Sequence, residues 1–261
     1  MKKTNAISIP KILNPEAPFA IREAFNQLRT NLMYTIAESD DGAPVFAVTS
    51  SSEDTGKSTV IANLAISFTH LEQKVLLIDA DMRCPVLHDY FGFDDKHQGL
   101  SELISGIAQD VIAHDVIKGL DLITSGRIPP NPSELLTSPR FAAFLNKWKK
   151  EYDIIFIDFP PIGIVTDSVA SFKSITGYIF TVRSGKSTAK RINTSIEAME
   201  RLGAKIVGVV LNDYDIKGTS YRRHSHGKYG KYGKYGKYYK ENSKYVESAK
   251  KSAEKADGSK A

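Results

Sequence analysis

The chain has 261 residues, of which 41% are hydrophobic and 25% charged, and it contains one cysteine. This balance is ordinary for a globular protein with a sizeable core, and a lone cysteine excludes an internal disulfide and a thiolate zinc cluster. The net charge of +5 is unevenly distributed, because residues 217–261 contain 13 Lys and Arg against four Asp and Glu, which leaves the preceding residues with a balance of −4. The basic character therefore belongs to the C-terminal segment.

Hydrophobic spacing predicts the secondary structure in chain order. Residues 16–37 carry apolar side chains at helical intervals. After them, short and continuous apolar runs alternate with helical patterns, as expected for strands that are buried on both faces of a parallel sheet. The predicted strands are 44–50, 74–79, 120–125, 153–158, 178–182 and 205–212, and the predicted helices between them are 57–71, 133–150 and 188–202. This alternation predicts an α/β fold with a doubly wound, mostly parallel sheet.

The segment VTSSSEDTGKSTVIANL, residues 48–64, places a short loop between a predicted strand and a predicted helix. GKST opens the helix, which is the context that a phosphate-binding loop (P-loop) requires. Backbone N–H groups at a helix N-terminus favour phosphate; Lys57 is expected to reach the β and γ oxygens, and the Ser58 hydroxyl to bind Mg²⁺. The residues predicted to contact the nucleotide here are Asp54, Thr55, Gly56, Lys57, Ser58 and Thr59.

The loop departs from the usual P-loop pattern at its start. Ser51 stands where the pattern has its first glycine, and Asp54 can adopt a left-handed conformation if the loop requires one. A second GKST, at residues 185–188, follows a predicted strand too closely to wrap a phosphate. We interpret that second copy as a turn.

Two further predicted strands end in charged side chains. KVLLIDADMR, residues 74–83, supplies Asp79, Asp81 and Arg83, and DIIFIDFPP, residues 153–161, supplies Asp158. Ligands bind at the carboxyl ends of the strands in open α/β sheets, so these groups are expected to converge on the P-loop. Phosphoryl transfer needs one carboxylate to hold Mg²⁺ and one to orient or deprotonate the nucleophile. The candidate catalytic residues are Asp81, Lys57 and Arg83.

After Asn212 the apolar periodicity stops, and the tail 217–261 is rich in Gly, Lys, Ser and Tyr, a composition that predicts disorder. It contains seven tyrosines: Tyr221, Tyr229, Tyr232, Tyr235, Tyr238, Tyr239 and Tyr245. They are candidate phosphoacceptors, or the tail is a nucleic-acid arm in which lysines contact phosphates and tyrosines stack on bases. The tail by itself does not separate these two interpretations. The predicted organisation is an N-terminal segment with a helix (1–37), a P-loop domain (38–216) and the tail.

Several motifs together resemble the bacterial tyrosine kinases of capsule and exopolysaccharide synthesis, and the resemblance covers essentially the whole chain. They are residues 50–59, LLIDADMR, IIFIDFPP, SGRIPPNPSELL (125–136), GVVLN (208–212) and the tyrosine-rich tail. The resemblance implies an ATP- and Mg²⁺-dependent kinase that autophosphorylates its tail, which favours the phosphoacceptor interpretation. It also implies that Asp79 and Asp158 organise Mg²⁺ together with Ser58, that Asp81 acts as a base toward tyrosine, and that Asn212 recognises adenine.

The resemblance further implies partners. With no predicted membrane span, the chain is expected to be cytoplasmic and to work at the inner face of the membrane with a transmembrane activating adaptor. The resemblance also implies a cognate phosphatase and assembly into a homo-oligomeric ring. It implies no specific nucleic-acid partner. Glu23 and Arg29 match the family's N-terminal assembly motif, but Asn26 replaces its first arginine.

A second departure and two alternatives accompany this interpretation. Glu53 and Asp54 occupy places where the family commonly has Pro-Gly, and their charges would repel a triphosphate unless they point outward. The first alternative is a partition-type or septum-positioning ATPase that dimerises with ATP; such proteins usually carry a lysine early in the P-loop, and residues 50–55 contain none. The second is a nucleotide-gated nucleic-acid-binding protein that uses the basic tail.

Overall fold

A computed structural model of the protein describes residues 12–36, 42–94, 97–162 and 174–214. Its helices are α1 Phe19–Met33, α2 Lys57–Thr69, α3 Leu87–Tyr90, α4 Leu100–Ser105, α5 Pro132–Thr137, α6 Pro139–Trp148 and α7 Ala189–Arg201. Its strands are β1 Val45–Ser50, β2 Val75–Asp79, β3 Ala113–Ile117, β4 Leu120–Ile123, β5 Ile154–Asp158, β6 Gly177–Arg183 and β7 Ile206–Asn212. In the part of the chain that is described, no helix is both long and apolar enough to cross a bilayer.

The described strands form one sheet in the order β3-β4-β2-β5-β1-β6-β7. Every pair is parallel except β3 and β4, which are antiparallel. The predicted doubly wound, mostly parallel fold is therefore confirmed. Strands β1, β2, β4 and β5 are buried along their whole length, which explains why their sequences are continuously apolar instead of alternating.

The core has two layers, one on each face of the sheet. On one face Ala47, Leu76 and Ile157 pack beneath α4, α5 and α6; on the other, Phe46 and Phe156 pack beneath α2. Side chains along a strand alternate between faces, so each central strand contributes to both layers. Helices therefore cover both faces of the sheet. Because the strands other than β3 run parallel, their carboxyl ends lie together at one edge.

The prediction of one helix over 133–150 is wrong, because the structure has α5 and α6 in its place. Ser138 between them is extended, with φ −69° and ψ 146°. Pro139 disfavours a helical conformation in the residue before it, and the Ser138 hydroxyl accepts a hydrogen bond of 3.2 Å from the Phe141 N–H. Ser138 therefore ends one helix and caps the next.

The edge strand β3 and the short helices α3 and α4 were missed. Strand β3 has the sequence AHDVI and is only partly buried, so it lacks the continuous apolar run used to find the others. It joins β4 through a tight turn at Gly119, where φ is +82°. Helices α3 and α4 have four and six residues, too few for a helical period to show in the sequence.

The tail 217–261 lies outside the described residues. Its predicted disorder, the seven phosphoacceptor tyrosines and the predicted domain boundary at residue 216 therefore stay predictions.

Candidate nucleotide-binding and phosphoryl-transfer site

The predicted P-loop connects β1 to α2, with α2 beginning at Lys57. Gly56 caps this helix in a left-handed conformation, with φ +86°. A Cβ atom at this position would lie 2.0 Å from the Asn212 Nδ2 atom, so both the backbone angle and the available space require glycine here. Lys57 is only 8% exposed, and its positive charge acts on the carboxyls of Asp81 and Asp158.

Asn212, predicted to recognise adenine, lies against the P-loop at the end of β7. Its Nδ2 atom donates a hydrogen bond of 3.0 Å to the Thr55 carbonyl oxygen. The side chain thus supports the loop from the flank where β7 ends, and its role toward adenine stays a prediction.

Asp54 adopts the left-handed conformation that the sequence analysis anticipated, with φ +51°. Its Oδ2 atom lies 3.0 Å from the Lys186 ammonium group. The hydrogen bond from Lys186 lowers the pKa of Asp54, so this carboxylate is ionised and directed toward a cation. Its negative charge is therefore compensated within the chain.

Asp79 and Asp158 end the neighbouring strands β2 and β5, and the register of the sheet places them directly opposite one another. Both are fully buried. The Asp79 carboxylate accepts hydrogen bonds of 3.1 Å each from the backbone N–H groups of Asp81 and Leu87. Neither carboxylate oxygen of Asp158 has a hydrogen-bond partner within the described structure.

Burial controls the protonation of these two carboxyls. It raises the pKa of Asp158 to about 7, against opposition from Lys57 and from Ser58, which lies close enough to favour the charged form without completing a hydrogen bond to it. Burial, and next the charge of Asp158, holds the pKa of Asp79 well above its ordinary range. Two adjacent buried carboxylates repel one another, and a bound cation would relieve that repulsion.

These residues fit Mg²⁺. The unpartnered oxygens of Asp158 are the kind of hard ligand that Mg²⁺ takes, and such sites commonly use one or two carboxylates together with substrate phosphates. The Ser58 hydroxyl lies beside Asp158, and Asp79 faces it from the next strand. Ser58, Asp79 and Asp158 are therefore brought together as the sequence predicts.

Asp81 lies two residues beyond the end of β2 and is 6% exposed. Its Oδ1 atom accepts a hydrogen bond of 3.1 Å from the Cys84 N–H, which fixes the carboxylate. Burial raises the pKa of Asp81, and the charge of Lys57 acts against this shift. A fixed carboxylate with a raised pKa suits a general base better than an ordinary surface aspartate does.

A cleft of about 370 Å³ opens above these groups. The candidates that line it are Asp54, Gly56, Lys57, Ser58, Asp81 and Arg83, and its walls also include Glu53, Cys84, Val86, Tyr90, Pro160, Pro161 and Arg183. Thr59 accompanies them through a 3.0 Å hydrogen bond between its hydroxyl and that of Tyr90. The cleft is thus bounded by the P-loop, the segment after β2 and the start of the segment after β5.

Sequence reasoning missed Arg183, Tyr90 and Lys186. Arg183 ends β6. Like Asp79 and Asp158, it is a charged residue at the end of a buried strand, so the same pattern predicts a place for it at the site. Tyr90 lies in a short helix that no local pattern distinguishes. Lys186 lies in the turn formed by the second GKST, which was interpreted only as a turn.

The predicted assembly residues lie on α1, which packs on α2. The Arg29 guanidinium donates a hydrogen bond to the Ser67 carbonyl oxygen of α2, and Glu23 lies close enough to favour its charged form. Arg29 therefore fastens α1 to the body of the domain, and the role of both residues in assembly stays a prediction.

We expect Asp158→Asn to stabilise the fold at alkaline pH. The ordinary pKa of aspartate is near 4 and that of Asp158 is about 7, so between these values the folded state keeps a proton that the unfolded state has released. Stability from this group therefore falls as pH rises through the window, and the penalty is complete above pH 7. At pH 8 the variant should gain about 2–4 kcal/mol, at about 1.4 kcal/mol per pKa unit.

Urea unfolding of both proteins between pH 4.5 and 8 measures this gain. The difference should grow with pH and level off above 7, whereas Glu200→Gln, which neutralises an exposed glutamate on α7, should show no such growth. A difference between wild type and Asp158→Asn that is constant with pH contradicts the raised pKa of Asp158.

Residues 46–226 match the family model described as the CobQ/CobB/MinD/ParA nucleotide binding domain. The chain is 36% identical over 192 residues to the tyrosine-protein kinase Etk of Escherichia coli (strain K12). That match covers 73% of this chain and 26% of Etk, so the chain spans about a quarter of the length of this relative.

The match to the tyrosine-protein kinase CpsD of Streptococcus agalactiae serotype III (strain NEM316) covers most of both proteins. Identity is 35% over 201 residues, which are 76% of this chain and 85% of CpsD. Among solved structures, the kinase domain of the Escherichia coli tyrosine kinase ETK has a TM-score of 0.73 at 33% identity and covers 87% of each chain. Sequence and fold are thus similar to the same group of proteins.

Proposed function

Because the chain belongs to the bacterial tyrosine-protein kinase family, we propose that it is an ATP- and Mg²⁺-dependent autokinase that phosphorylates its own C-terminal tyrosine cluster. The observation that carries the proposal is the position of Asp81. This fixed, buried carboxylate faces the same cleft as the P-loop lysine. A site built only to bind a nucleotide needs no such base beside its phosphate loop.

The roles of the residues follow from their places. Backbone N–H groups at the start of α2 point into the cleft and favour phosphate, while buried Lys57 is placed to neutralise charge that accumulates on the transferred group. Asp81 accepts the proton of a tyrosine hydroxyl at its carboxylate, and Arg83 at the cleft rim contributes a second positive charge. Asn212 holds the loop in shape through Thr55.

Ser58, Asp79 and Asp158 are the residues that would hold Mg²⁺, which when bound neutralises the β and γ oxygens of the nucleotide. The two carboxyls are shielded from water because both are fully buried. In this proposal the buried pair serves the cation, and Asp81, which lines the cleft, serves the acceptor hydroxyl.

The tail tyrosines are the proposed acceptors, at positions 221, 229, 232, 235, 238, 239 and 245. Lysine neighbours resist burial and glycine has no side chain to pack, so these tyrosines suit modification better than packing. In keeping with the family resemblance, we propose that the protein works at the inner face of the membrane as a homo-oligomer. A transmembrane adaptor activates it, and a phosphatase removes the phosphates from its tyrosines. The output of the protein is regulation of capsular or exopolysaccharide synthesis.

Mass spectrometry of the purified chain after incubation with ATP and Mg²⁺ tests the proposal, with and without the cytoplasmic segment of the adaptor. We expect several phosphates on the seven tail tyrosines and more with the adaptor segment. A variant with all seven changed to phenylalanine keeps the tail's lysines and glycines and is expected to incorporate none there. Phosphate that is confined to serine or threonine, or ATP hydrolysis without phosphotyrosine, would count against the kinase assignment and favour an ATPase.

A further inference from the structure

The P-loop carries backbone strain at the residue where the family commonly has glycine. Asp54 has φ +51°, a conformation that L-residues with side chains seldom adopt. Such residues persist when the surrounding structure over-determines them. Contacts from the surrounding structure must therefore hold Asp54 in this conformation.

Two cations from the end of β6 and the following turn hold this residue. The Lys186 ammonium group contacts the Asp54 carboxylate at 3.0 Å, and the Arg183 Nη1 atom donates a hydrogen bond of 3.0 Å to the Asp54 carbonyl oxygen. The same guanidinium donates from Nε and Nη2 to the Asp213 carboxylate, at 3.0 and 2.9 Å. Main chain and side chain of Asp54 are thus held separately.

Contacts from the ends of β6 and β7 also hold the next two residues of the loop. Thr55, the next residue, has its carbonyl oxygen bonded by Asn212, and Gly56 packs against the same amide. The ends of β6 and β7 are joined to each other by a backbone hydrogen bond of 3.0 Å from the Ser184 N–H to the Asn212 carbonyl oxygen. The strand ends therefore form one support under the loop.

We infer that Lys186 is a positioning residue for the P-loop, holding the Asp54 carboxylate toward the 184–187 turn and neutralising it beside the nucleotide cleft. Asp54 lines that cleft, so without Lys186 its charge would act on bound phosphates and its left-handed backbone would lose one of its two restraints. The second GKST of the sequence thus gains a role. Its lysine, Lys186, acts on the P-loop through Asp54 and does not bind phosphate directly. The inference rests on the proposed function only in requiring nucleotide in the cleft.

Titration of the full chain with a fluorescent ADP analogue and Mg²⁺ tests this role. Lys186→Gln should weaken binding about two- to fivefold, the range of an exposed ion pair, and the loss should shrink at high salt because exposed charges are screened. Lys190→Gln removes the same charge from the first turn of α7 and should bind like wild type. In steady state the KM for ATP should rise while kcat changes little.

Double variants separate an effect through Asp54 from a direct one. In an Asp54→Gly background, glycine adopts the left-handed conformation unaided and carries no charge, so Lys186→Gln should change nothing further. The charge swap Asp54→Lys with Lys186→Asp should recover part of the loss. An equal loss in the Asp54→Gly background, or wild-type affinity of Lys186→Gln, overturns the inference.

The outcomes also distinguish this inference from the kinase proposal. If the affinities follow the expected order but no phosphotyrosine forms, the positioning role of Lys186 is supported and the kinase proposal fails. If the tail is phosphorylated but Lys186→Gln binds as wild type does, the kinase proposal is supported and the positioning role fails.

Discussion

Replacement of Lys57 by methionine is expected to abolish phosphorylation of the tail, with a fall in rate of at least about a hundredfold. Removing one well-placed group that stabilises transition-state charge typically costs that much, and Lys57 is the cation that lies buried at the start of α2 beside the cleft. Methionine has a similar length and is apolar, so it fills the same space. Phosphotyrosine on the tail, measured over time after ATP and Mg²⁺ are added, gives the rate.

The fold of Lys57→Met should survive, because the lysine is not part of either core layer. Loss of the ammonium also removes the charge that opposes the raised pKa of Asp81 and of Asp158, so both carboxyls become easier to protonate and the variant does not hold unpaired charges. Lys190→Met serves as the matched control on an exposed helix. Wild-type levels of tail phosphotyrosine in Lys57→Met would show that the phosphates do not come from this site.

Asp81→Asn is expected to lose phosphoryl transfer by about a hundredfold to ten-thousandfold, the usual contribution of a general base, while nucleotide affinity stays within about twofold. Asparagine keeps an oxygen that accepts the Cys84 N–H hydrogen bond but cannot take a proton. Rate and affinity should therefore separate in this variant. Single-turnover phosphorylation and titration with a fluorescent nucleotide measure the two quantities.

The pH dependence distinguishes a base from a merely structural carboxylate. Burial raises the pKa of Asp81, so wild-type activity should fall as pH drops through a value above the ordinary aspartate range. At saturating Mg²⁺ and ATP, where bound cation keeps Asp79 and Asp158 in their charged forms, the residual activity of Asp81→Asn should lack that acidic limb. Glu53→Gln is a suitable comparison, since it neutralises another carboxylate that lines the cleft and should keep the limb. Parallel losses of affinity and rate in Asp81→Asn would contradict the role of base.

Local sequence determined the parts of this protein that depend on near neighbours in the chain. Continuous apolar runs located six of the strands. Five of them are buried on both faces, which requires apolar side chains on both, whereas the edge strand β7 exposes Val209 and Leu211. GKST after a strand located the P-loop, and charged residues at strand ends located Asp79, Asp81 and Asp158, because parallel strands bring their carboxyl ends to one edge. Comparison with known proteins confirmed the family that these motifs resemble.

Tertiary structure decided what depends on residues far apart in the chain. Lys186 and Asp54 are 132 positions apart, and Asn212 and Thr55 are 157 apart; neither contact has a local period or motif that announces it. Burial within the assembled sheet raises the pKa of Asp79 and of Asp158, and the register of β2 against β5 sets the two opposite one another, so that the charge of Asp158 adds to the shift of Asp79. Spacing along the chain predicts which side chains share a face or an edge, but partners, burial and protonation follow only once the sheet has brought distant strand ends into contact.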